Sequence, residues 1–474
     1  MNKLSTSLER RTIFSRRWHW VAVFAAVAGV MLLPAAYNRF PLIFPDTATY
    51  VGAAYEQRWP LDRSGFYGLF FRPLLLLSNP LLGVWLTIVA QALIVTGVVI
   101  GAARRIAPRS RPLTIGLLII ALAFVTTLSW HTAQLMPDAF TGPLILAIWL
   151  AASRDLERSG TALLWLLAAV LMLFHYTHIG LVLAGLVACL AVCALNGTNR
   201  VEIGKRAIAG TLTIAAVAAA HITIHGTYFG RWTISPMGGH FLFARLNEDG
   251  LVPLWLDRHC GQEASKALCD LRPQIPRDSQ VLLWGDEASP FYERVNLKIE
   301  RDREKEAWPW IDAMNQAAIG SIKEQPIRFL QIAAKQTIDQ FLHFAALDDE
   351  CPKECKSKVW FEYRPTLEPS VQSSRQLRDE IARGPIRAVT SAAAILGLLL
   401  LIPMALLAVR RRDRLAQSLI ATVVTCLIAN AAMAGALSDV HDRYQSRVVW
   451  LAPFVVLLLA ARWRNWGSNS VART

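Results

Sequence analysis

Long apolar runs separated by short polar turns dominate this chain. A run of about 20 apolar residues crosses a bilayer as an α-helix, since only a closed hydrogen-bonding pattern satisfies the backbone there. Such runs fall near 18–37, 80–103, 113–130, 139–152, 161–174, 179–195, 207–225, 387–409, 415–437 and 447–462. The pattern predicts an all-α polytopic membrane protein with about 10 transmembrane helices. The runs flanking "HYTH" (175–178) read either as two helices meeting at one face or as one long broken helix.

One long polar stretch interrupts the series. It divides the chain into an N-terminal transmembrane module (1–225), an extracytoplasmic domain (226–386) and a C-terminal transmembrane module (387–474). The middle part reads as mainly helical. In "IRFLQIAAKQTIDQFLHF" (327–344), Ile327, Leu330, Ala334, Ile338 and Phe341 recur at near-helical spacing, and Pro326 suits a first turn. That helix is expected on the membrane surface or within the outer domain. "VLLWGDE" (281–287) reads as a short strand. No internal repeat supports a transporter built from inverted halves.

Composition agrees with the runs. Of 474 residues, 54% are hydrophobic and 18% charged, too apolar for a soluble chain of this length. The net charge of +14 does not point to nucleic acid, because the basic residues cluster in short turns between runs, where they set topology. No phosphate loop or RNA-binding signature is present. Lys3, Arg10, Arg11, Arg16 and Arg17 put the N-terminus in the cytoplasm. The long basic lead and the near-spanning first run do not read as a cleaved signal peptide. Alternation then places Arg104, Arg105, Arg154, Arg158, Lys205, Arg206, Arg410–Arg412, Arg462 and Arg464 inside, with the C-terminus. Residues 38–79, 131–138, 226–386 and 438–447 face outward.

Seven cysteines fall in two groups. Cys189, Cys193 and Cys426 lie in apolar runs and read as small core residues. Cys260, Cys269, Cys351 and Cys355 lie in the polar domain and suit two disulfides in an oxidising compartment. Zinc is the competing reading, which the C-x8-C and C-x3-C spacings and the lack of a tight histidine cluster disfavour.

The candidate chemistry gathers on the outer turns. Asp46, in "IFPDTATYV" (43–51), is a general base, a cation ligand or the cap of a helix starting at Thr47. Arg63 and Arg72, in "DRSGFYGLFFRPLLLL" (62–77), can fork onto a phosphate or snorkel to the headgroups. Asp138, in "HTAQLMPDAF" (131–140), is a second outer acid or the cap of the fourth span. His175 and His178 read as hydrogen-bonded groups at a helix junction rather than metal ligands. Asp439, His441, Asp442, Arg443, Tyr444 and Arg447 crowd "SDVHDRYQSRVVW" (438–450), the densest polar group in a short outer turn.

On "FPDTATYV", "GFYGLFFRPLLL", "MPDAF" and "HDRYQSR", the chain resembles the membrane-embedded type C glycosyltransferases that use polyprenyl-phosphate-linked sugars. The first-loop acid is the family's usual catalytic carboxylate, which the resemblance carries to Asp46, with Asp138 as the matching second acid. It implies donor-phosphate binding by Arg63, Arg72, Arg443, Tyr444 and Arg447. The first loop has one acid where many relatives have an adjacent pair, and the large polar domain precedes the eighth span. No metal is assigned; Mg or Mn on Asp46 and Asp138 stays open as cofactor. The implied partners are a polyprenyl-phosphate-linked sugar, a glycan, lipid or protein acceptor and the lipid bilayer, with no nucleic acid. The implied location is a bacterial inner membrane. Competing readings are a transporter or flippase of a lipid-linked or anionic substrate, a non-catalytic membrane scaffold and an acyl transferase.

Overall fold

The structure is a computed structural model that describes residues 2–154, 160–261, 263–285, 304–347 and 365–467. Among the described residues the regular structure is helical, with no strand. In chain order, α1 (Asn2–Met31), α2 (Leu33–Asn38), α3 (Pro45–Glu56), α4 (Phe66–Leu75), α5 (Pro80–Ile106), α6 (Pro112–Val125) and α7 (Leu128–Thr132) come first. A 3-10 turn (Pro137–Phe140) then leads into α8 (Thr141–Ala152), followed by α9 (Thr161–Leu173), α10 (Thr177–Leu195) and α11 (Arg200–Phe229). The polar insert contributes α12 (Gly238–Glu248), α13 (Leu251–His259), α14 (Glu263–Asp270), α15 (Ser279–Trp284), α16 (Glu304–Glu324), α17 (Pro326–Leu342) and α18 (Glu368–Gln372). The chain returns through α19 (Arg383–Arg410), α20 (Arg414–Leu437), α21 (Asp442–Val449) and α22 (Leu451–Gly467).

Seven helical stretches are long and apolar enough to cross a membrane: Arg17–Asn38, Pro80–Ile106, Thr177–Leu195, Arg200–Phe229, Arg383–Arg410, Arg414–Leu437 and Asp442–Arg464. Three shorter apolar helices, Pro112–Val125, Pro137–Ala152 and Thr161–Leu173, carry the other predicted runs. α8 is buried along its whole length, as expected of a helix apolar on every side. α9 and α10 both pack on it, so "HYTH" joins two helices rather than kinking one. Close helix contacts use small residues. A Cβ at Gly397 of α19 would lie 2.4 Å from Pro453 of α22.

A second core forms in the insert from Phe243, Leu246, Val252, Leu282, Leu283, Ile311 and Met314, with Trp59 and Leu61 of the first loop. "VLLW" is helical, not extended. Asp278 accepts the Val281 N–H at 2.9 Å and caps α15, and the consecutive Leu282 and Leu283 are both buried, so period-two alternation is absent. Cys260 and Cys269 are joined, with Cα atoms 5.5 Å apart. Cys351 and Cys355 lie outside the described residues.

α17 packs along α20, so closely that a Cβ at Gly435 would lie 2.4 Å from the Gln336 carbonyl oxygen. Its outward arc exposes Ile327, Leu330, Ile338 and Leu342. That apolar arc suits a helix lying against lipid better than one inside the insert.

Candidate functional site

Pro45 explains where α3 begins. Proline fits the first helical turn, and Phe44 before it is extended at φ −135°. The cap is made by Thr47, not Asp46. Thr47 Oγ1 accepts the Phe44 N–H at 2.9 Å and donates to the Leu135 carbonyl at 3.1 Å. The second bond ties the first loop to the turn that carries Asp138. Leu42 reinforces it, donating its N–H to Ala133 O at 3.0 Å and accepting the Leu135 N–H at 2.8 Å. Gln376, from the end of the insert, brackets the same strip through both backbone groups of Ile43, at 3.0 and 2.7 Å.

Freed from capping, the Asp46 carboxylate faces two guanidiniums. Oδ1 lies 2.5 Å from Arg63 Nη1, and Oδ2 lies 3.4 Å from Arg443 Nη1. Its place in the first turn of α3 also favours negative charge. Burial pushes the Asp46 carboxyl up, but the charges of Arg63 and then Arg443 outweigh it and hold the group below its ordinary value. Arg63 is gripped from behind by Asp62 at 2.5 Å. The Arg443 guanidinium lies 3.8 Å from the centre of the Phe44 ring and 5.1 Å from that of Tyr444.

Asp138 forms a second pair. Its Oδ1 accepts from Arg447 Nη1 at 2.6 Å, and Arg447 Nη2 donates to Asn430 Oδ1 at 3.0 Å. Asn430 is fixed in turn by donating to Tyr444 O at 2.6 Å and to Gln445 Oε1 at 2.9 Å. Asp138 therefore does not cap α8. Asp138 Oδ2 and Arg447 Nε are buried without a hydrogen-bond partner. Tyr444 lies beside both arginines, with Arg447 Cζ 5.5 Å from its ring centre.

The residues predicted from sequence thus divide. Asp46, Arg63 and Arg443 meet directly, while Asp138, Arg447 and Tyr444 adjoin them through α21. Arg72 does not join them. Its Nη1 donates to the Ala54 and Tyr55 carbonyls near the C-terminal end of α3, as a cation at a helix end does. His175 and His178 hold helix ends. His178 bonds Thr141 Oγ1 at 3.0 Å and Leu171 O at 2.7 Å, and His175 bonds Thr177 Oγ1 at 2.8 Å.

Sequence reading passed over Gln376 and Asn430 and gave no role of their own to Thr47 and His131. Asn430 carried a usable signal, an amide within an apolar run. His131 bonds Ser446 Oγ at 3.0 Å, and burial pulls its pKa down to about 4. Leu42, Thr127, His131, Gln134, Ser446 and Arg443 help line a small cleft beside the site.

The donor set does not fit Mg or Mn. Such ions take about six oxygens, whereas Asp46 and Asp138 each face a guanidinium. Among the described residues, no group of three His, Cys, Asp or Glu is placed to hold an ion.

The search of solved structures returns ArnT from Cupriavidus metallidurans in the apo state. The likeness covers 94% of this chain and 77% of that one at 13% identity and a TM-score of 0.31, and at that score it carries no argument. No protein-family model matches the chain, and no curated protein sequence does.

Proposed function

We propose that this chain is an integral-membrane glycosyltransferase that moves a sugar from a polyprenyl-phosphate donor to an acceptor hydroxyl at the extracytoplasmic face, inverting the anomeric carbon. The observation that carries the reading is Asp46, partly exposed and flanked by Arg63 and Arg443. A lipid-linked donor presents its phosphate at the bilayer boundary, and a carboxylate beside two guanidiniums at the insert end of the bundle suits it.

The distances support a division of roles. Arg443 makes the longer contact to Asp46, at 3.4 Å, and also lines the cleft. A donor phosphate in that cleft competes for Arg443 and draws positive charge away from Asp46. The carboxylate then gains basicity as the acceptor arrives. The acceptor oxygen attacks the anomeric carbon, its proton passes to Asp46, and the bond from that carbon to the phosphate oxygen breaks. The charge left on the lipid phosphate falls to Arg443 and the Tyr444 hydroxyl. Arg63 orients Asp46 at 2.5 Å. Asp138, with 1% of its side chain exposed, is assigned to positioning. Through Arg447 it fixes α21, the helix that presents Arg443.

The test is sugar transfer from radiolabelled polyprenyl-phosphate sugars in membranes holding matched amounts of wild type or Asp46→Asn. Loss of transfer supports the reading; full transfer by Asp46→Asn removes the base.

A further inference from the structure

α15 is held in place from several sides. Asp278 caps it, Ser279 Oγ donates to Asp439 Oδ2 at 3.0 Å, and Gln280 Nε2 donates to the same oxygen at 2.8 Å. Asp439 is itself gripped by Arg245 Nη1 at 3.1 Å. Leu282 and Leu283 sink into the insert core. The helix nonetheless ends on Trp284, 53% exposed. Its indole lies 5.9 Å from the Phe241 ring at 50°. The Arg63 guanidinium carbon lies 6.0 Å from the indole centre. The same guanidinium carbon lies 5.9 Å from the Tyr50 ring, and its Nη1 pairs with Asp46 at 2.5 Å.

A pyranose has two kinds of surface: a nearly flat C–H face that is apolar, and a rim of hydroxyls that are not. A half-exposed indole next to a carboxylate–guanidinium pair offers a match for both at once. Exposure alone does not make this arrangement. Trp232 is 69% exposed, yet its ring lies over Gly226. We propose that Trp284 is the stacking wall of a sugar subsite, holding a pyranose ring by its C–H face while Arg63 and Asp46 take its hydroxyls. The inference rests on the transferase reading and deepens it, naming the pyranose class and the residue of the insert that selects it.

The test uses the purified full-length chain in detergent and saturation-transfer NMR with three probes: methyl gluco-, galacto- and mannopyranoside. The expected result is transfer to the ring C–H protons of at least one probe. Trp284→Ala should weaken binding of that probe about two- to tenfold, the range of one aromatic contact. Trp284→Phe should keep most of it, and Trp232→Ala should leave it unchanged. Equal binding by wild type and Trp284→Ala overturns the proposal, as does no transfer to any probe on the wild-type chain. Loss in Trp232→Ala as large as in Trp284→Ala also overturns it. Matched elution and melting of the variants exclude misfolding as the cause. Transfer activity that needs Asp46, with probe binding indifferent to Trp284, removes the subsite alone. Probe binding that needs Trp284, without transfer activity, removes the transferase reading alone.

Discussion

Asp46–Arg63 and Asp138–Arg447 are the same chemical pair in opposite settings. The separations are nearly equal, 2.5 and 2.6 Å. Side-chain exposure is 22% and 12% for the first pair but 1% and 2% for the second. The first also shares its carboxylate with a second arginine at 3.4 Å. A sealed pair loses hydration on both charges and holds together through its close geometry and the added bond from Arg447 to Asn430. A pair open on one side can trade partners, which is what proton transfer and anion binding require. On the proposed reading one motif serves two ends: the open pair for chemistry and the closed pair for placing α21.

Substituting the open acid is the strongest test of that contrast. Asp46→Asn should lower sugar transfer by about 10²- to 10⁴-fold, the usual contribution of a general base. Its melting temperature in detergent should stay close to wild type. A large fall in melting instead would make the two pairs alike.

The closed pair should show the reverse. Asp138→Asn strands a buried guanidinium and should cost about 3–5 kcal/mol of stability. Urea titration followed by tryptophan fluorescence would read it. The double substitution Asp138→Leu with Arg447→Met should recover much of the loss, because an apolar pair needs no hydration.

Arg443→Lys sharpens the comparison within the open site. Lysine keeps the charge but loses the planar contacts with Phe44 and Tyr444. One ionic hydrogen bond is worth about 1.5–3 kcal/mol, so the KM for donor should rise about tenfold or more, with little change in melting.

The smallest effect is in pH. His131 has its pKa lowered from 6.5 to about 4 by burial. The unfolded chain therefore takes up a proton at this residue that the folded chain refuses. Its contribution is fully present above pH 6.5 and fades as pH falls to about 4. The carboxyls of Asp46 and Asp439 are also held low, so their contributions go only below the ordinary carboxylate range. Other buried histidines share this window, so His131→Gln should reduce, not abolish, the slope of stability against pH there, as measured by urea midpoints at stepped pH.

Much of the architecture was legible from the chain. Each predicted apolar run lies on helix, and the second core draws on the polar stretch together with Trp59 and Leu61 of the first loop. Two local readings failed for a shared reason. Capping at Asp46 went to Thr47, and the strand at "VLLW" became a helix, because side-chain hydrogen bonds spanning three residues decided both. Arg72 looked like Arg63 in sequence, yet carbonyls on α3, about 17 residues back along the chain, captured it.

The sequence by itself determined the helices, the insert and the set of charged residues gathered at the turns. Run length and apolarity do this locally, since a bilayer leaves an apolar segment no alternative to helix. The tertiary structure decided which acid meets which arginine. Asp46 and Arg443 lie 397 residues apart, and their contact depends on Thr47 bonding Leu135 and on Asn430 fixing α21. It also decided which pair is open and which is sealed. Exposure is a property of everything packed around a side chain, and no spacing along the chain encodes it.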